Sequence, residues 1–210
     1  MEQNITSRTD GRQELREHVV DVAMEAFCAE GIRHVKMDDI ARRLGMSKRT
    51  LYELFADKES LLLSGIESRQ QQHTRLLEEE MQRTDNVLDL ILFDFGKRLV
   101  FLKQINPSFF VDVPRFPRVL AAIKAYRQQH LKNAVDFLRR GVEQGLFRPD
   151  VNFEIIVPFL MNHIDSVQQR EIMQAYTPTE VFRHLVFFHL RGCTTPEGMR
   201  MMDEFLERYE

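Results

Sequence analysis

Apolar side chains recur every three or four positions along most of the chain, a spacing that predicts α-helices. The first such pattern covers residues 12–30, and Gly31 is placed to end it as a C-terminal cap. Two short patterns follow at residues 38–44 and 47–55, separated by Gly45, which can take a positive φ. Because no segment alternates convincingly with a period of two, the sequence predicts an all-α fold of roughly nine or ten helices.

Longer helical patterns fill the rest of the chain. The first begins at Asp57 and is predicted to continue to about residue 83. Residues 177–180 (TPTE) form a capping box with proline at the first helical position, which indicates a helix start. Pro158 lies inside a helical pattern and is expected to kink the helix or delay its start. The remaining helices are predicted at residues 86–105, 118–144, 152–174, 178–191 and from 196 onwards, with a short helical turn between the prolines of 107–117.

These patterns predict three segments. Residues 1–11 are polar and are expected to form a disordered tail. Residues 12–57 are predicted to form a small N-terminal domain, and residues 58–210 a larger helical one. We hypothesise that the helix starting at Asp57 belongs to both domains, so that a shift of its second half would move the first domain.

The charge of the chain changes sign locally. The overall net charge of −3 does not suit a protein that coats nucleic acid without specificity. Residues 36–58, however, contain six basic and four acidic side chains, a local charge of +2. Such a segment can bind DNA if its basic side chains share one face.

Other classes of protein find little support in the sequence. It has no HExxH motif, glycine-rich phosphate loop or nucleophile elbow, so no enzyme is predicted. Cys28 and Cys193 form no CxxC or Cys/His cluster, and His184 and His189 do not share a helix face, so neither a metal nor a cofactor is predicted. The polar N-terminus lacks a secretory signal, and no apolar stretch approaches the roughly 18 residues of a membrane span. The expected location is therefore the cytoplasm, with no membrane partner.

Residues 47–55 have the two faces that a recognition helix needs. Met46, Leu51 and Phe55 are predicted to face inward and hold the helix against its neighbours. Taken one at a time, the polar residues of this segment are more typical of a solvated surface charge, a helix cap or a packed aromatic ring. Together they place hydrogen-bond donors on an outward face near the helix N-terminus, which predicts contact with DNA; they are Lys48, Arg49, Thr50 and Tyr52.

Residues 36–62 resemble the DNA-binding domain of the tetracycline-repressor-type (TetR) family of bacterial transcription regulators. The resemblance covers about residues 12–65 without a gap, and residues 143–150 (EQGLFRPD) resemble the family's link into its dimerisation helices. The rest of the chain matches in helix count more than in sequence. The matching positions are Phe27, Gly31, Ile40, Ala41, Gly45, Met46, Ser47, Thr50, Leu51, Tyr52, Phe55, Lys58, Leu61 and Leu62.

The resemblance implies a three-helix helix-turn-helix domain followed by a domain that binds a ligand and dimerises. It implies a homodimer, joined through helices at about 153–174 and 178–191, whose recognition helices enter successive major grooves of a palindromic double-stranded DNA operator. An unknown small-molecule effector would release the DNA, and repressors are commoner than activators in the family. By position, the DNA contacts would come from Lys36, Ser47, Lys48, Arg49, Thr50, Tyr52 and Lys58.

Two positions depart from the family pattern. Lys36 stands where a hydroxyl residue usually caps the second helix; lysine cannot cap it but could reach a phosphate. Leu54 replaces the aromatic residue or histidine that often precedes the last phenylalanine, which removes one expected phosphate contact.

The effector site is less well defined by the sequence. Sixteen phenylalanines and ten methionines are compatible with an adaptable apolar pocket, although such residues more often form ordinary core. The alternative is a DNA-binding dimer that has no small-molecule effector and is controlled by a protein partner. The sequence also leaves open whether the last helix joins the pocket or the dimer interface. The candidate effector contacts, each also compatible with core or interface, are Phe95, Leu99, Phe110, Tyr126, Phe159, Asn162 and His163.

Overall fold

The computed structural model describes residues 2–166 and 175–208, with side chains at 11–130, 133–160 and 175–208. Over these residues the backbone forms helices and no strand, apart from an isolated antiparallel bridge between Phe147 and Thr194. The all-α prediction is confirmed. The helices are α1 (Glu2–Glu30), α2 (Met37–Arg43), α3 (Lys48–Leu54), α4 (Lys58–Met81), α5 (Val87–Lys103), α6 (Ser108–Asp112), α7 (Pro117–Glu143), α8 (Phe153–Ser166), α9 (Pro178–Cys193) and α10 (Pro196–Glu207), with a 3-10 turn (Val113–Arg115) between α6 and α7.

Most helix ends lie within a residue or two of the predicted ones, and α1 is the main difference. It begins at Glu2 and so includes the segment predicted as a disordered tail. Once a helix is nucleated, each further residue adds a hydrogen bond, and no proline interrupts residues 2–11. α8 continues through Pro158, and α9 passes Gly192 to end at Cys193. The predicted continuation of the α8 pattern to residue 174 lies outside the described residues from 167 onwards.

The chain divides into two compact units. The first contains residues 1–71 and 108–123, and the second contains residues 72–107 and 124–210. This division differs from the predicted boundary between residues 57 and 58, because α4 and α7 each contribute to both units. Segment 108–123 joins the first unit through contacts that are too distant along the sequence for a local pattern to reveal.

The core of the first unit holds the three N-terminal helices and the start of α4 together. Its members are buried residues that recur at helical spacing, and this arrangement fixes the inward face of α3. The largest fully buried side chains of this core are Phe27, Ile32, Ile40, Leu51, Phe55, Leu61 and Leu62.

Aromatic side chains fill the core of the second unit. The ring of Phe95 stacks on Phe182 with 5.3 Å between centroids and meets Phe187 edge-on at 4.8 Å. Phe205 from α10 approaches the same ring at 6.0 Å. Offset and edge-to-face contacts at these distances stabilise a packed core. Much of the phenylalanine content therefore serves packing, and α10 contributes to this core.

Candidate nucleic-acid interface

A short turn joins α2 to α3 and is built around Gly45. This residue has a φ of +62°, and its N–H donates to the carbonyl of Arg42 at 3.2 Å. The N–H of Met46 donates to the carbonyl of Ala41 at 3.0 Å. These two bonds form a Schellman motif, in which the residue after the helix takes the left-handed conformation that favours glycine. The turn sets the direction in which α3 leaves α2.

The first turn of α3 is closed by hydroxyl groups. Ser47 is the N-cap, and its Oγ accepts a hydrogen bond from the N–H of Thr50 at 3.1 Å. The two hydroxyl oxygens lie 2.8 Å apart. Both hydroxyls predicted to contact DNA are thus part of the cap, which fixes their positions at the helix start.

The inward face of α3 is fixed to the core of the first unit. Leu51 is completely buried and Phe55 almost so, as the sequence predicted. Arg16 of α1 adds a contact that the sequence analysis did not predict. Its guanidinium donates to the carbonyl of Leu54 at 2.6 Å and to the Oγ of Ser64 at 3.1 Å, and it lies 4.1 Å from the centroid of the Phe55 ring. Arg16 thereby holds the C-terminal end of α3, whose last carbonyls have no partner within the helix.

The outward face of α3 carries exposed basic and aromatic side chains. The side chain of Arg49 is 88% exposed, and its Nε donates to the Oε1 of Glu53 at 2.9 Å. The ammonium of Lys48 lies 2.5 Å from a carboxylate oxygen of Asp38 on α2. Tyr52 is 49% exposed. Exposed ion pairs of this kind contribute little to stability, so both basic groups can exchange their carboxylate for a phosphate or a base edge.

Lys36 precedes α2 and takes part in only half of a capping box. The carboxylate of Asp39 accepts a hydrogen bond from the Lys36 N–H at 3.0 Å. This bond, followed by the nearby positive charges, lowers the pKa of Asp39 although burial opposes the shift. The Lys36 residue is exposed, so its ammonium can reach the solvent and a DNA backbone.

Lys58, at the start of α4, has a structural role that the sequence did not predict. Its ammonium donates to the carbonyls of Ile32 at 2.8 Å and Val35 at 2.9 Å. Burial lowers the pKa of Lys58; Asp112 opposes this effect and Arg33 adds to it. An ammonium has three donors, and two of those on Lys58 bind the loop after α1.

The segment 108–123 is joined to α4 and to the loop after α1 by charged groups. The Arg118 guanidinium donates to both carboxylate oxygens of Asp57 at 2.8 Å and to Glu59 at 3.0 Å. Asp57 also caps α4 by accepting from the Ser60 N–H at 2.6 Å. The buried carboxylate of Asp112 accepts from the Arg33 N–H at 2.9 Å. These bonds fix the first turn of α4, which carries Lys58.

Comparisons with known proteins agree with this geometry. The sequence profile described as bacterial regulatory proteins, tetR family, matches residues 19–64. That range contains the buried inward face of α3, the Gly45 turn and the capped helix start. Residues 19–64 are therefore a TetR-family segment. The prediction of the chain as a DNA-binding regulator of transcription is confirmed, and its relatives are regulators and not enzymes.

Similarity to known proteins extends beyond the first unit. The transcriptional repressor KstR2 of Mycobacterium tuberculosis is 25% identical over 154 residues, which are 69% of this chain and 75% of KstR2. A TetR-family regulator from Agrobacterium tumefaciens has the same fold, with a TM-score of 0.69 at 14% identity over 88% of this chain and 100% of that one. FadR of Bacillus subtilis in complex with stearoyl-CoA also has this fold, with a TM-score of 0.60 at 17% identity over 83% of this chain and 97% of that one.

The predicted effector contacts lie in different surroundings. Phe95 and Leu99 are buried in the aromatic core of the second unit, and Phe159 is exposed. Tyr126 is half-buried and hydrogen-bonded in the second unit, whereas Phe110 packs edge-on against Phe109 in the first. The side chains of Asn162 and His163 lie outside the described part of the structure. The effector site stays a prediction.

Two further properties concern metals and membranes. Among the described residues, no group of three or more His, Cys, Asp or Glu side chains could hold a metal ion. In the same part of the chain, every helix is too short or too polar to cross a membrane.

Burial raises the thiol pKa of both Cys28 and Cys193, which keeps the two thiols protonated at neutral pH.

Proposed function

We propose that this TetR-family protein is a repressor that binds a palindromic operator as a homodimer and is released by a small apolar or amphipathic effector. One observation carries the DNA-binding part. α3 is held from behind by Leu51, Phe55 and Arg16, while Lys48 and Arg49 extend from its other face. A helix that is fixed on one side and offers donors on the other is suited to the major groove.

The proposed contacts fall into two groups. Arg49 and Tyr52 are the candidates for base edges, because they are exposed and extend from the outward side of α3. Lys36, Lys48 and the remaining donor of Lys58 are suited to phosphates, together with the Ser47 and Thr50 hydroxyls. The protein would exchange the Lys48–Asp38 ion pair for a phosphate when it binds, which adds to the salt dependence of the complex.

The proposed dimer interface is an apolar surface on α8 and α9. Phe188 is 77% exposed, Phe159 58% and Ile155 53%, which is unusual for three large apolar side chains. A groove of about 1010 Å³ lies beside Phe188 and Ile155, with Arg148 and Arg183 among its lining residues. A second copy of the chain can cover this surface by a two-fold axis, because such an axis places the same patch of each copy against the other. Part of the interface predicted for residues 153–174 lies outside the described residues.

Two relatives support the repressor and effector parts. KstR2, which the chain matches over most of its length, is a repressor. FadR of Bacillus subtilis holds stearoyl-CoA, so this fold can accept an amphipathic ligand.

The proposal is tested by selecting operator sequences with the purified full-length protein. We expect the selected oligonucleotides to contain two inverted half-sites, with a spacing close to one helical turn or a multiple of it. A thermal-shift screen of small molecules then finds candidate effectors. A gel shift with the selected site measures whether each of them releases the DNA. Selection of a single unpaired half-site would contradict the dimer, and no enrichment at all would contradict the DNA-binding function. Loss of operator binding only in the presence of a protein partner would favour the alternative without a small-molecule effector.

A further inference from the structure

Ion pairs surround the outward face of α3. The four basic side chains of α2 and α3 each lie beside a carboxylate. In three of these pairs a terminal nitrogen of the basic side chain meets the carboxylate, whereas the fourth pair is formed through an arginine Nε. The three pairs are Arg42–Asp39, Arg43–Glu30 and Lys48–Asp38, and the fourth is Arg49–Glu53.

Arg49 is bonded to Glu53 through the inner edge of its guanidinium. Its Nε donates to the Oε1 of Glu53 at 2.9 Å, and its side chain is 88% exposed. A guanidinium is planar and has five donors, so the bond from Nε fixes the plane while the N–H groups of the two terminal nitrogens lie further out. Two parallel N–H groups at that outer end can bind the O6 and N7 of guanine in the major groove. Arg49 can therefore bind a base and keep its bond to Glu53.

The backbone that carries Glu53 is held in place by α1. The carbonyl of Glu53 accepts a hydrogen bond from Arg12 at 3.4 Å, and the next carbonyl, that of Leu54, accepts one from Arg16 at 2.6 Å. Glu53 lies on the same helix as Arg49, four residues further on. Its carboxylate therefore has a defined position on α3, and the bond from the Arg49 Nε places the guanidinium relative to that position.

Helix stability does not explain an acidic residue at position 53. Glu53 is the second-last residue of α3, where the negative end of the helix dipole disfavours a carboxylate. An arginine followed by a glutamate four residues later is also the less stabilising order for such a pair, and exposed ion pairs contribute little in any case. A carboxylate beside the outward face of α3 would in addition repel the phosphates of DNA. The effect of Glu53 on Arg49 accounts for its place there.

Glu53 changes two properties of Arg49. A long flexible side chain loses rotamer freedom when it binds a partner, and a side chain that is already oriented loses less of it. The carboxylate also offsets the positive charge of the guanidinium, so Arg49 adds less to the attraction between the protein and any DNA backbone. Hydrogen bonds from Arg49 to a base edge depend on geometry and are kept. Both effects favour one DNA sequence over unrelated DNA.

We propose that Glu53 is a positioning residue that orients Arg49 to bind a guanine in each half-site of the operator. The terminal nitrogens of Arg49 donate to the O6 and N7 of this guanine while its Nε stays bonded to Glu53. This inference rests on the proposed function, because it takes α3 to lie in the major groove. It goes further in naming one base of the operator and in giving an acidic residue of α3 a role in the choice of that base.

The experiment starts from the operator selected with the full-length wild-type protein. Each base pair of the half-site is replaced in turn, and fluorescence anisotropy measures the affinity at a fixed salt concentration. At one position we expect guanine to be preferred about tenfold or more over the other bases, and Arg49→Ala to remove that preference alone. Replacing this guanine with 7-deazaguanine, which lacks the N7 acceptor, should weaken binding of the wild type but not of Arg49→Ala. A half-site with no guanine preference that depends on Arg49 would overturn the base assignment.

Variants of Glu53 test its role. Glu53→Ala should reduce the guanine preference at the same position about threefold or more, since ordering one long side chain has a cost of this size, and should raise the affinity for unrelated DNA. Glu53→Gln keeps an oxygen that can accept from the Arg49 Nε, so it should restore most of the preference although it lacks the charge. Glu204→Ala is the matched control, because Arg200 and Glu204 form an exposed pair with the same spacing on α10. Circular dichroism checks that each variant is folded.

The outcomes separate this inference from the proposed function. An unchanged guanine preference in Glu53→Ala, or an equal loss in Glu204→Ala, would overturn the role of Glu53. Loss of a base preference at a position that does not depend on Arg49 would overturn it too, because Glu53 would then bind a base itself. Selection of no operator would overturn the proposed function and this inference together, whereas a selected operator without these effects would overturn this inference alone.

Discussion

The guanidinium of Arg16 lies 4.1 Å from the centroid of the Phe55 ring and covers the point where α3 ends. The same group donates to the carbonyl of Leu54 at 2.6 Å. One side chain of α1 therefore serves as the C-terminal cap of the recognition helix and also shields its last core residue. The orientation of α3 depends on this contact as much as on the glycine turn at its other end.

Replacing Arg16 with methionine should destabilise the first unit. The variant keeps most of the side-chain length but loses a charged hydrogen bond and the contact with the Phe55 ring. We expect a loss of about 1–3 kcal/mol in the free energy of unfolding, measured by urea denaturation, and weaker operator binding. Arg12→Met is the control, since the contact of Arg12 with the Glu53 carbonyl is exposed and 3.4 Å long. Equal effects of the two substitutions would contradict the role of Arg16.

Lys48→Ala should weaken operator binding with the fold retained. The Lys48–Asp38 pair is exposed, so its loss should change stability by less than about 1 kcal/mol. Loss of one phosphate contact should reduce the slope of log K against log salt by about 1. Tyr52→Ala should weaken binding at all salt concentrations with little change of slope. Gel shifts over a range of salt concentrations measure both effects, with Lys124→Ala in the second unit as a control. Full operator affinity in both variants would refute the assignment of this face.

Gly45→Ala should destabilise the protein although there is room for the methyl group. Nothing lies within 4 Å of the position of an added Cβ, so the cost comes from the φ of +62° alone. We expect about 1–2 kcal/mol, as for other non-glycine residues in the left-handed region. Gly11 offers the opposite test: it lies inside α1 with open space around it, and Gly11→Ala should stabilise by up to about 1 kcal/mol. The melting temperature should fall in Gly45→Ala and rise in Gly11→Ala, and a change of the same sign in both would contradict this account.

Phe188→Glu should separate the proposed dimer into folded monomers. A charge at this position would be buried against the second copy, where it costs far more than in water. Sedimentation or light scattering gives the mass, and operator affinity should fall with it. Met81→Glu is the control, because Met81 is 51% exposed but lies on α4, outside the proposed interface. A Phe188→Glu protein that keeps the wild-type mass would disprove this interface.

The stability contributed by Asp57 should depend on pH. Hydrogen bonds from the Ser60 side chain and backbone lower the pKa of Asp57, and Arg118 lowers it further, although burial opposes the shift. Since the folded pKa lies below the unfolded one, the contribution is complete above the unfolded pKa of about 4. It is lost as the pH falls through the folded pKa. The free energies of urea unfolding of the wild type and of Asp57→Asn should differ at pH 7 and converge in acid. A difference that does not change with pH would show that the charge of Asp57 does not contribute to stability.

Local signals predicted the elements of the candidate site, and long-range contacts decided what its charged groups do. Ser47 and the glycine turn lie next to the helices they delimit, so the start of α3 could be read from the sequence. Arg16 and Leu54, by contrast, are 38 residues apart, and Arg118 and Asp57 are 61 apart. No periodic pattern links residues at such distances. For the same reason Lys58 could be predicted as a phosphate contact but not as a donor to the carbonyls of Ile32 and Val35.

The packing of the first unit restricts which residues can replace Gly31 and Ser108. Gly31 has a φ of +87°, and a Cβ added to it would lie 3.0 Å from the Cβ of Ser108. Even a methyl group at Gly31 would therefore press against Ser108 at the start of α6. Homologues that share this arrangement should therefore have small residues at both positions. Substitutions there should appear in pairs or with a compensating deletion, so that divergence at one position limits divergence at the other.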